Sequence, residues 1–344
     1  MPSFKICDRE IGENSPAFII AEGADAHLGC MKRAKEMIRM AKLSGADAIK
    51  FQHHIPYEEM LRDSPTSDNM EEPLYDFLVK NALTIDQHIE LKKYADETGI
   101  QFMCTPFSYK AAQELYDANI LDVIKIGSGE MTDIPSLLKM AKFKKPMIVS
   151  TGMCTFEEID ETYKALIDAG VELALTNCVS EYPPVYEDIN LNVINRMHEK
   201  YGKAVIGHSD HTPTLYTCFG AIMLGAKIIE KHVIVNKLTP GPDQSVSIDF
   251  NELRQLVDGI RILEAASGDT KKVHEKENDI RAWAFRSIVS CCNIKKGTVI
   301  TEDMIWSKRP GTGIPSKKMD DVIGMTAIND ITENTLLSWD DLKA

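Results

Sequence analysis

Gly207-His208-Ser209-Asp210-His211 and, twenty residues on, Glu230-Lys231-His232 are the stretches on which the fold turns. Ahead of the first lies Ala204-Val205-Ile206, a short apolar run that reads as a buried strand closed by Gly207 and Ser209. Thr212 to Leu224 reads as a helix and Ala226 to Val233 as the next strand. Such a crossover returns the chain to a parallel neighbour, which puts His211 and His232 at the C-terminal ends of adjacent strands. In a closed parallel α/β barrel that rim carries the chemistry. Two imidazoles there, with Asp210 and Lys231 beside them, suit a divalent metal that keeps positions open for a substrate. One histidine alone is more often a core residue than a ligand; the pairing on neighbouring strand ends is what raises it.

The same alternation runs through the chain before this point. Strand-like runs are Ala17 to Glu22, Ala46 to Gln52, Gln101 to Thr105, Leu121 to Ile126, Met147 to Gly152 and Val171 to Val179. Helical spacing covers Met31 to Leu43 (stopped by Gly45), Ile85 to Thr98, Ser108 to Ala118, Ile134 to Lys142, Phe156 to Ala169, Asp188 to Tyr201 and Phe250 to Ala265. Eight such units, with no tandem Gly-rich dinucleotide fingerprint after the first strand, favour a (β/α)8 TIM barrel over an open doubly wound sheet. His53 to about Thr84 is longer than an ordinary βα loop, and a long insertion on the active rim is usually a substrate-covering element.

The pattern changes after Ala266. We expect a barrel over residues 1–266, a charged linker over 267–284 and a small β-rich domain over 285–344, built from segments at Ser287–Ser290, Lys295–Ile300, Met304–Pro310 and Ile328–Leu337. So small a module is expected to dock on something. Charge marks the same boundary. From Phe285 onward acidic and basic residues balance, so the whole formal charge of −13 falls on the earlier part. That balance argues against nucleic acid or an anionic membrane surface as the main partner, and an anionic substrate needs a local basic pocket. The start, Met-Pro-Ser-Phe-Lys, has no apolar signal core, and no run is long enough to span a bilayer, so a cytoplasmic location is expected. None of the eight cysteines has CxxC spacing; they read as small buried hydrophobes in a reducing compartment.

On the barrel reading, Glu22, Lys50, Gln52, Thr105, Lys125, Ser128, Glu130, Ser150, Tyr182, Ser209, His211 and His232 all fall at or just past strand C-termini. Lysines that deep are costly unless paired with anions. Lys50, Lys125 and the hydroxyls of Thr105, Ser128 and Ser209 make a phosphate or carboxylate cradle; the structural alternative is an ion pair to Glu22 or Glu130. Those two carboxylates could serve as acid/base groups, since burial shifts carboxyl pKa values into a useful range. The glycines around Ser128 would admit a ligand close to the backbone.

Several blocks together resemble a known family. Phe18-Ile-Ile-Ala-Glu22, Gly45 through Lys50-Phe-Gln52, Thr105-Pro-Phe-Ser108, Lys125-Ile-Gly-Ser-Gly-Glu130, Ser150-Thr-Gly-Met153, Tyr182-Pro183, Ser209-Asp-His211, Glu230-Lys-His232 and Gly241-Pro-Asp243 are similar to the sialic acid synthases. These are the N-acetylneuraminate, legionaminate and pseudaminate synthases. The tail, with Lys295-Lys-Gly297 and Lys308-Arg309-Pro310-Gly311, resembles their C-terminal SAF (antifreeze-like) domain.

The resemblance implies condensation of phosphoenolpyruvate with an N-acylated mannosamine-type sugar, giving a nine-carbon 2-keto acid and phosphate. It implies His211 and His232 as ligands of Mn2+ or Mg2+. It assigns Lys50, Thr105, Lys125, Ser128, Ser150 and Ser209 to phosphoenolpyruvate, and Gln52, Asn69, Tyr182, Asp243 and Phe285 to the sugar. Glu130 would stabilise charge at C2, and Glu22 would handle a proton. It further implies a homodimer in which the SAF domain of one chain closes the other's barrel, bringing Arg309 to the partner's sugar. The family pattern Glu-x-Gly-x-Asn-His-x-Gly is here Glu22-Gly-Ala-Asp-Ala26-His27-Leu-Gly29, which bears on the choice of sugar between the neuraminate, legionaminate and pseudaminate types. Two other classes remain open: a Schiff-base aldolase using Lys125 or Lys50, and a non-catalytic sugar-binding barrel.

Overall fold

The computed structural model describes residues 2–65 and 72–344. They form two units, residues 1–267 and 268–344. In the first, a hairpin of β1 (Ser3–Ile6) and β2 (Arg9–Gly12) precedes eight parallel strands. These are β3 (Phe18–Ala24), β4 (Ala48–His53), β5 (Gln101–Pro106), β6 (Ile124–Ile126), β7 (Met147–Ser150), β8 (Leu173–Cys178), β9 (Ala204–Asp210) and β10 (Ile228–His232). Their order is β5-β4-β3-β10-β9-β8-β7-β6, and β5 and β6 pack against each other, so the sheet closes as a TIM barrel.

The principal helices are α1 (Met31–Ser44), α2 (Pro56–Glu59), α3 (Leu74–Asn81), α4 (Ile85–Thr98), α5 (Tyr109–Asp117), α6 (Ile134–Met140), α7 (Phe156–Asp168), α8 (Val193–Lys200), α9 (Tyr216–Met223) and α10 (Phe250–Ala266). Their ends follow local chemistry. Gly45 at φ 85 closes α1, its N–H bonding the carbonyls of Ala41 and Lys42. Thr84 with Gln87 and Asp249 with Glu252 form capping boxes at the starts of α4 and α10.

Strand alternation builds two cores. Ile19, Ala21, Ile49, Phe102, Ile124, Val149, Leu175, Ile206 and Ile229 face the helices. Phe18, Ile20, Ala48, Met103, Val123, Ile148, Ala174, Val205 and Ile228 fill the lower barrel, which Phe4, Ile6 and Ile11 of the hairpin plug from below. A Cβ at Gly207 would stand 2.8 Å from the Ile228 carbonyl oxygen, so the barrel wall closes tightly there.

Several expectations need correction. The helix expected from Thr212 begins only at Tyr216, because Asp210 binds the N–H and hydroxyl of Thr212 and Pro213 disfavours helical backbone before it. The helix expected over Asp188–Tyr201 is interrupted: Asn190 takes left-handed φ 46 between a 3-10 turn and α8. The N-terminal hairpin was not legible as strands. Cys7, Cys30, Cys291 and Cys292 are exposed rather than buried, though all eight cysteines are free.

In the second unit, residues 277–284, read as linker, form α11 (Glu277–Ala284). β11 (Ser287–Ser290) pairs antiparallel with β12 (Ile305–Lys308), and β13 (Thr326–Ala327) with β14 (Leu342–Lys343). The stretches expected as strands at Lys295–Ile300 and Ile328–Leu337 contribute only single bridges, such as Val299 with Thr326 and Ile294 with Ile331. A separate core of Ile288, Ile294, Ile300, Ile305, Ile314, Val322, Ile331 and Leu337 holds this unit together.

Candidate active site

The inward positions that are apolar low in the barrel turn polar above. Ala48 is followed two residues on by Lys50, Met103 by Thr105, Val123 by Lys125, Ile148 by Ser150, and Ile228 by Glu230 and His232. Because side chains alternate with period two, each strand delivers its last inward residue to one place. The result is a cavity of about 400 Å3 at the C-terminal mouth.

One side of the cavity is an ammonium cradle. Lys50 and Lys125 are only 3% and 2% exposed. Lys50 Nζ lies 2.5 Å from Glu22 and donates to Thr105 Oγ1 at 2.7 Å. Lys125 Nζ donates to Ser150 Oγ at 2.7 Å, and Ser150 meets Thr176 Oγ1 at 3.0 Å. Glu230 sits between the two lysines, 3.6 Å from Lys50 and 3.5 Å from Lys125, and accepts from Ser209 Oγ at 2.7 Å. Burial pushes the Glu22 carboxyl up, while Lys125 and Lys50 overcome the burial of Glu230 and hold its carboxyl low. Desolvation lowers the Lys125 ammonium; for Lys50 it is outweighed by the two carboxylates, which raise it. Glu22 is thus the ion-pair partner that the sequence suggested for Lys50, but Lys125 pairs with Glu230 and not Glu130. Glu230 was given no role from sequence, although it lies two residues before His232 and therefore on the same face.

Facing the cradle are the imidazoles of His211 and His232, ring centroids 5.2 Å apart. His211 Nδ1 donates to the Val179 carbonyl at 2.7 Å, which turns Nε2 toward Tyr182 Oη at 3.2 Å. His232 Nδ1 has no hydrogen-bond partner among the described residues and lies 3.8 Å from Asp243 Oδ2. Two rings at this separation can reach one ion about 2.1 Å from each nitrogen, and the backbone carbonyl behind His211 orients it as outer-shell partners of ligating histidines do. Among the described residues no group of three or more His, Cys, Asp or Glu converges on one point. The two imidazoles are therefore a partial donor set: a divalent cation held there would need its remaining ligands from water or substrate, unlike a closed structural zinc site. Burial disfavours a charged His211, but Cys178 and the Val179 carbonyl push it up to about 9, so a cation at Nε2 must displace a proton. His232 is held well below its usual range by burial and by His211. Asp210 and Lys231, expected beside the metal, point the other way. Strand alternation sends them behind the wall, where Lys231 Nζ bonds Asp210 at 2.7 Å and the Thr212 carbonyl.

Carboxylates occupy the space between. Burial raises Glu130 to about 7, and its Oε2 has no partner among the described residues. A Cβ on Gly127 would come within 2.6 Å of that oxygen, so the room this glycine leaves is used by Glu130 itself rather than by a ligand. Asp243 is raised to about 6 by burial and by Asp25. Ser128 lines the cavity and accepts from the Gly152 N–H at 3.1 Å. Gln52 donates to Glu22 at 3.2 Å and Tyr182 lines the imidazole side.

Asn69 lies outside the described residues. Phe285 and Arg309 belong to the second unit, where Phe285 is half-exposed and Arg309 lies over Trp283 with Nε donating to the Ala284 carbonyl. Of the long insertion, Pro65, Leu74, Phe77 and Leu78 line the cavity. Reading from sequence missed Cys178 in the lining, and Asp25 and His54, which lie in stretches that the resemblance places beside the sugar site, were given no role of their own. His54 and Cys178 sit at inward positions, two residues past Gln52 and Thr176, and period-two counting would have found them.

Among the described residues no helix is long and apolar enough to cross a membrane. Residues 37–272 match the NeuB family and residues 285–343 the SAF domain. The chain is 33% identical to N,N'-diacetyllegionaminic acid synthase of Legionella pneumophila over 97% of its length and 96% of that protein. It is 34% identical to pseudaminic acid synthase of Campylobacter jejuni over 95% and 96%. The crystal structure of the N-acetylneuraminic acid (sialic acid) synthetase of Leptospira borgpetersenii superposes with a TM-score of 0.74 at 28% identity, covering 81% of this chain and 94% of that one. With a family model matching well over half of its length and relatives above 30% identity covered almost end to end, the chain belongs to the NeuB family, with a C-terminal SAF domain.

Proposed function

We propose that this protein is a nonulosonic (sialic) acid synthase that condenses phosphoenolpyruvate with the open-chain form of an N-acylated mannosamine-type sugar. The observation that carries this reading is the division of one cavity into an ammonium side, with Glu230 shared by Lys50 and Lys125, and an imidazole side at His211 and His232. A cradle of two buried lysines and several hydroxyls suits a ligand carrying both phosphate and carboxylate. Lys50 and Lys125, with Thr105, Ser128, Ser150 and Ser209, would hold phosphoenolpyruvate so that its C3 faces the aldehyde carbon. A divalent cation, Mn2+ or Mg2+, held by His211 and His232, would supply Lewis-acid polarisation of the aldehyde oxygen.

Glu22, its carboxyl raised by burial, would give a proton to that oxygen as C3 bonds the aldehyde carbon. Positive charge then develops at C2, and Glu130 would stabilise it and take a proton from the water that adds there. Collapse of the resulting hemiketal phosphate breaks the C–O bond, leaving phosphate and the nine-carbon 2-keto acid. Gln52, Asn69, Tyr182 and Asp243 would contact the sugar. Phe285 and Arg309 would do so from a second copy, as part of a homodimer. The acceptor would be N-acetylmannosamine or a legionaminate- or pseudaminate-type precursor. The test is phosphate release from phosphoenolpyruvate with Mn2+ and a panel of hexosamine acceptors; no release with any of them refutes the proposal.

One observation favours a second reading. Burial lowers the Lys125 ammonium, as in lysines that form imines. Borohydride trapping with a keto acid separates the two, since the metal-assisted route leaves no covalent adduct.

A further inference from the structure

The wall where β3 and β4 end carries a group that the proposed reaction does not use. Asp25 lines the cavity, is 5% exposed, and its Oδ1 has no hydrogen-bond partner among the described residues. Its nearest imidazole neighbours are His54 Nε2, 3.5 Å from Oδ2, and His27 Nε2, 3.7 Å from Oδ1, both too long or too poorly aligned to bond. A buried carboxylate oxygen left in this state calls for a donor from the ligand.

The backbone is bent to put Asp25 there. The β3–β4 ladder slips between Glu22 and Ala24, and Ala24 takes a left-handed φ of 42. Bulges of this kind re-aim side chains beside active sites, and a non-glycine residue held left-handed is strain that the surroundings must enforce. In the family pattern Gly stands at the place of Ala24 and Asn at that of Ala26. Here Ala26 has no amide and Asp25, one residue earlier, carries a carboxylate.

The neighbours give Asp25 a defined setting. His54 Nδ1 meets Glu59 Oε2 at 2.9 Å and its Nε2 meets Gln52 Oε1 at 3.0 Å. Both ring nitrogens therefore face acceptor oxygens, and although burial disfavours the charged ring, Glu59 and Asp25 push the His54 imidazole up. Phe107 stacks on His54 with centroids 4.3 Å apart, and Leu74, Phe77 and Leu78 also line the cavity. A donor-seeking oxygen in a cavity also lined by an aromatic ring and apolar side chains complements a secondary amide: an N–H for the oxygen and a short acyl chain for the apolar side chains. A bare hydroxyl would satisfy only the first.

We propose that Asp25 determines acceptor specificity: its Oδ1 takes a hydrogen bond from the N–H of an acylamino group on the sugar, with the acyl chain against Phe107, and His54, 3.5 Å from Oδ2, is the positioning residue that faces it as an ion-pair partner and not through a hydrogen bond. The sugar class rests on the synthase reading, but the test needs no turnover. Calorimetry with Mn2+ present compares N-acetylmannosamine with its C2 ester isostere, 2-O-acetylmannose, which lacks the N–H. The wild-type protein is expected to prefer the amide about tenfold, the scale of one hydrogen bond to a charged group. Asp25→Ala should abolish that preference, and Asp25→Asn, which keeps an acceptor oxygen without charge, should leave part of it. Inorganic phosphate should bind all three proteins alike, which certifies the fold, and Asp25→Asn decides should the alanine variant fail to fold. His54→Gln should also reduce the preference while sparing phosphate; a merely structural role would weaken both. Equal wild-type binding of amide and ester, an undiminished preference in both Asp25 variants, or binding of neither sugar overturns the assignment. Failure of the synthase reading shows separately, as amide preference without phosphate release from phosphoenolpyruvate.

Discussion

Replacing Glu230 by Gln tests whether the ammonium cradle is held together as described. Glu230 is fully enclosed between two lysines at 3.5 and 3.6 Å, each attraction being about 5 kcal/mol at an effective dielectric near 20 before desolvation is counted. The substitution keeps the shape and an oxygen for Ser209, but removes the charge. Lys50 retains Glu22 at 2.5 Å, whereas Lys125 keeps no carboxylate within 4 Å among the described residues. Leaving one member of a buried pair uncompensated costs about 3–5 kcal/mol. For a cooperative unit the size of residues 1–267, that corresponds to a melting temperature lower by about 5–9 °C. The same loss of negative charge should make an anion more welcome. Inorganic phosphate should bind Glu230→Gln more tightly than the wild type and restore more of its melting temperature. Calorimetric scanning with and without phosphate measures both effects. A fall under about 2 °C, together with unchanged phosphate affinity, would refute the pairing of Glu230 with Lys125 as the element that holds the cradle.

His211→Ala and His232→Ala should each abolish phosphate release and lower Mn2+ binding, read by electron paramagnetic resonance of the free ion; full manganese binding in both removes the imidazole site. Acid should destabilise the barrel through His27, His53 and His88, whose pKa values burial pulls below the usual 6.5. In the unfolded chain these rings take up protons as pH falls through 6.5, the folded ones resist, and stability is lost with falling pH. His54, which its carboxylate neighbours raise, acts in the opposite sense. Burial holds the His88 imidazole well below its usual range, so His88→Leu should flatten the loss between pH 7 and 5 in urea titrations; an unaltered slope contradicts the assignment. Arg309→Ala should raise the KM for sugar about tenfold or more and leave that for phosphoenolpyruvate unchanged, whereas unaltered sugar kinetics would remove Arg309 from the acceptor site.

Much of the barrel was legible because its strands are buried on both faces and its helices are amphipathic. Apolar runs such as Met147 to Val149 and helical spacing such as Ile85 to Thr98 each have one physical explanation. The site was legible where polar residues end such runs: Lys50, Lys125, Ser150, His211 and His232 all line one cavity. Errors arose where side chains compete with the backbone. Asp210 seizes Thr212 and delays α9, and Asn190 turns left-handed ahead of α8. Segments Lys295–Ile300 and Ile328–Leu337 are strand-like in composition, yet turns at Gly297 and Asn334 leave them too bent for ladders.

By itself the amino-acid order determined the repeating strand–helix unit, the place where it stops near Ala266, and the polar residues that crown the strands, because periodicity and chain breaks are local properties. Which polar residue meets which was decided only in three dimensions. Lys125 turned to Glu230 and not Glu130, Lys231 went behind the wall with Asp210, and a bulge after Glu22 swung Asp25 into the cavity. Those partners lie on different strands, and closing the barrel, with its alternation of inward and outward side chains, is what sorts them.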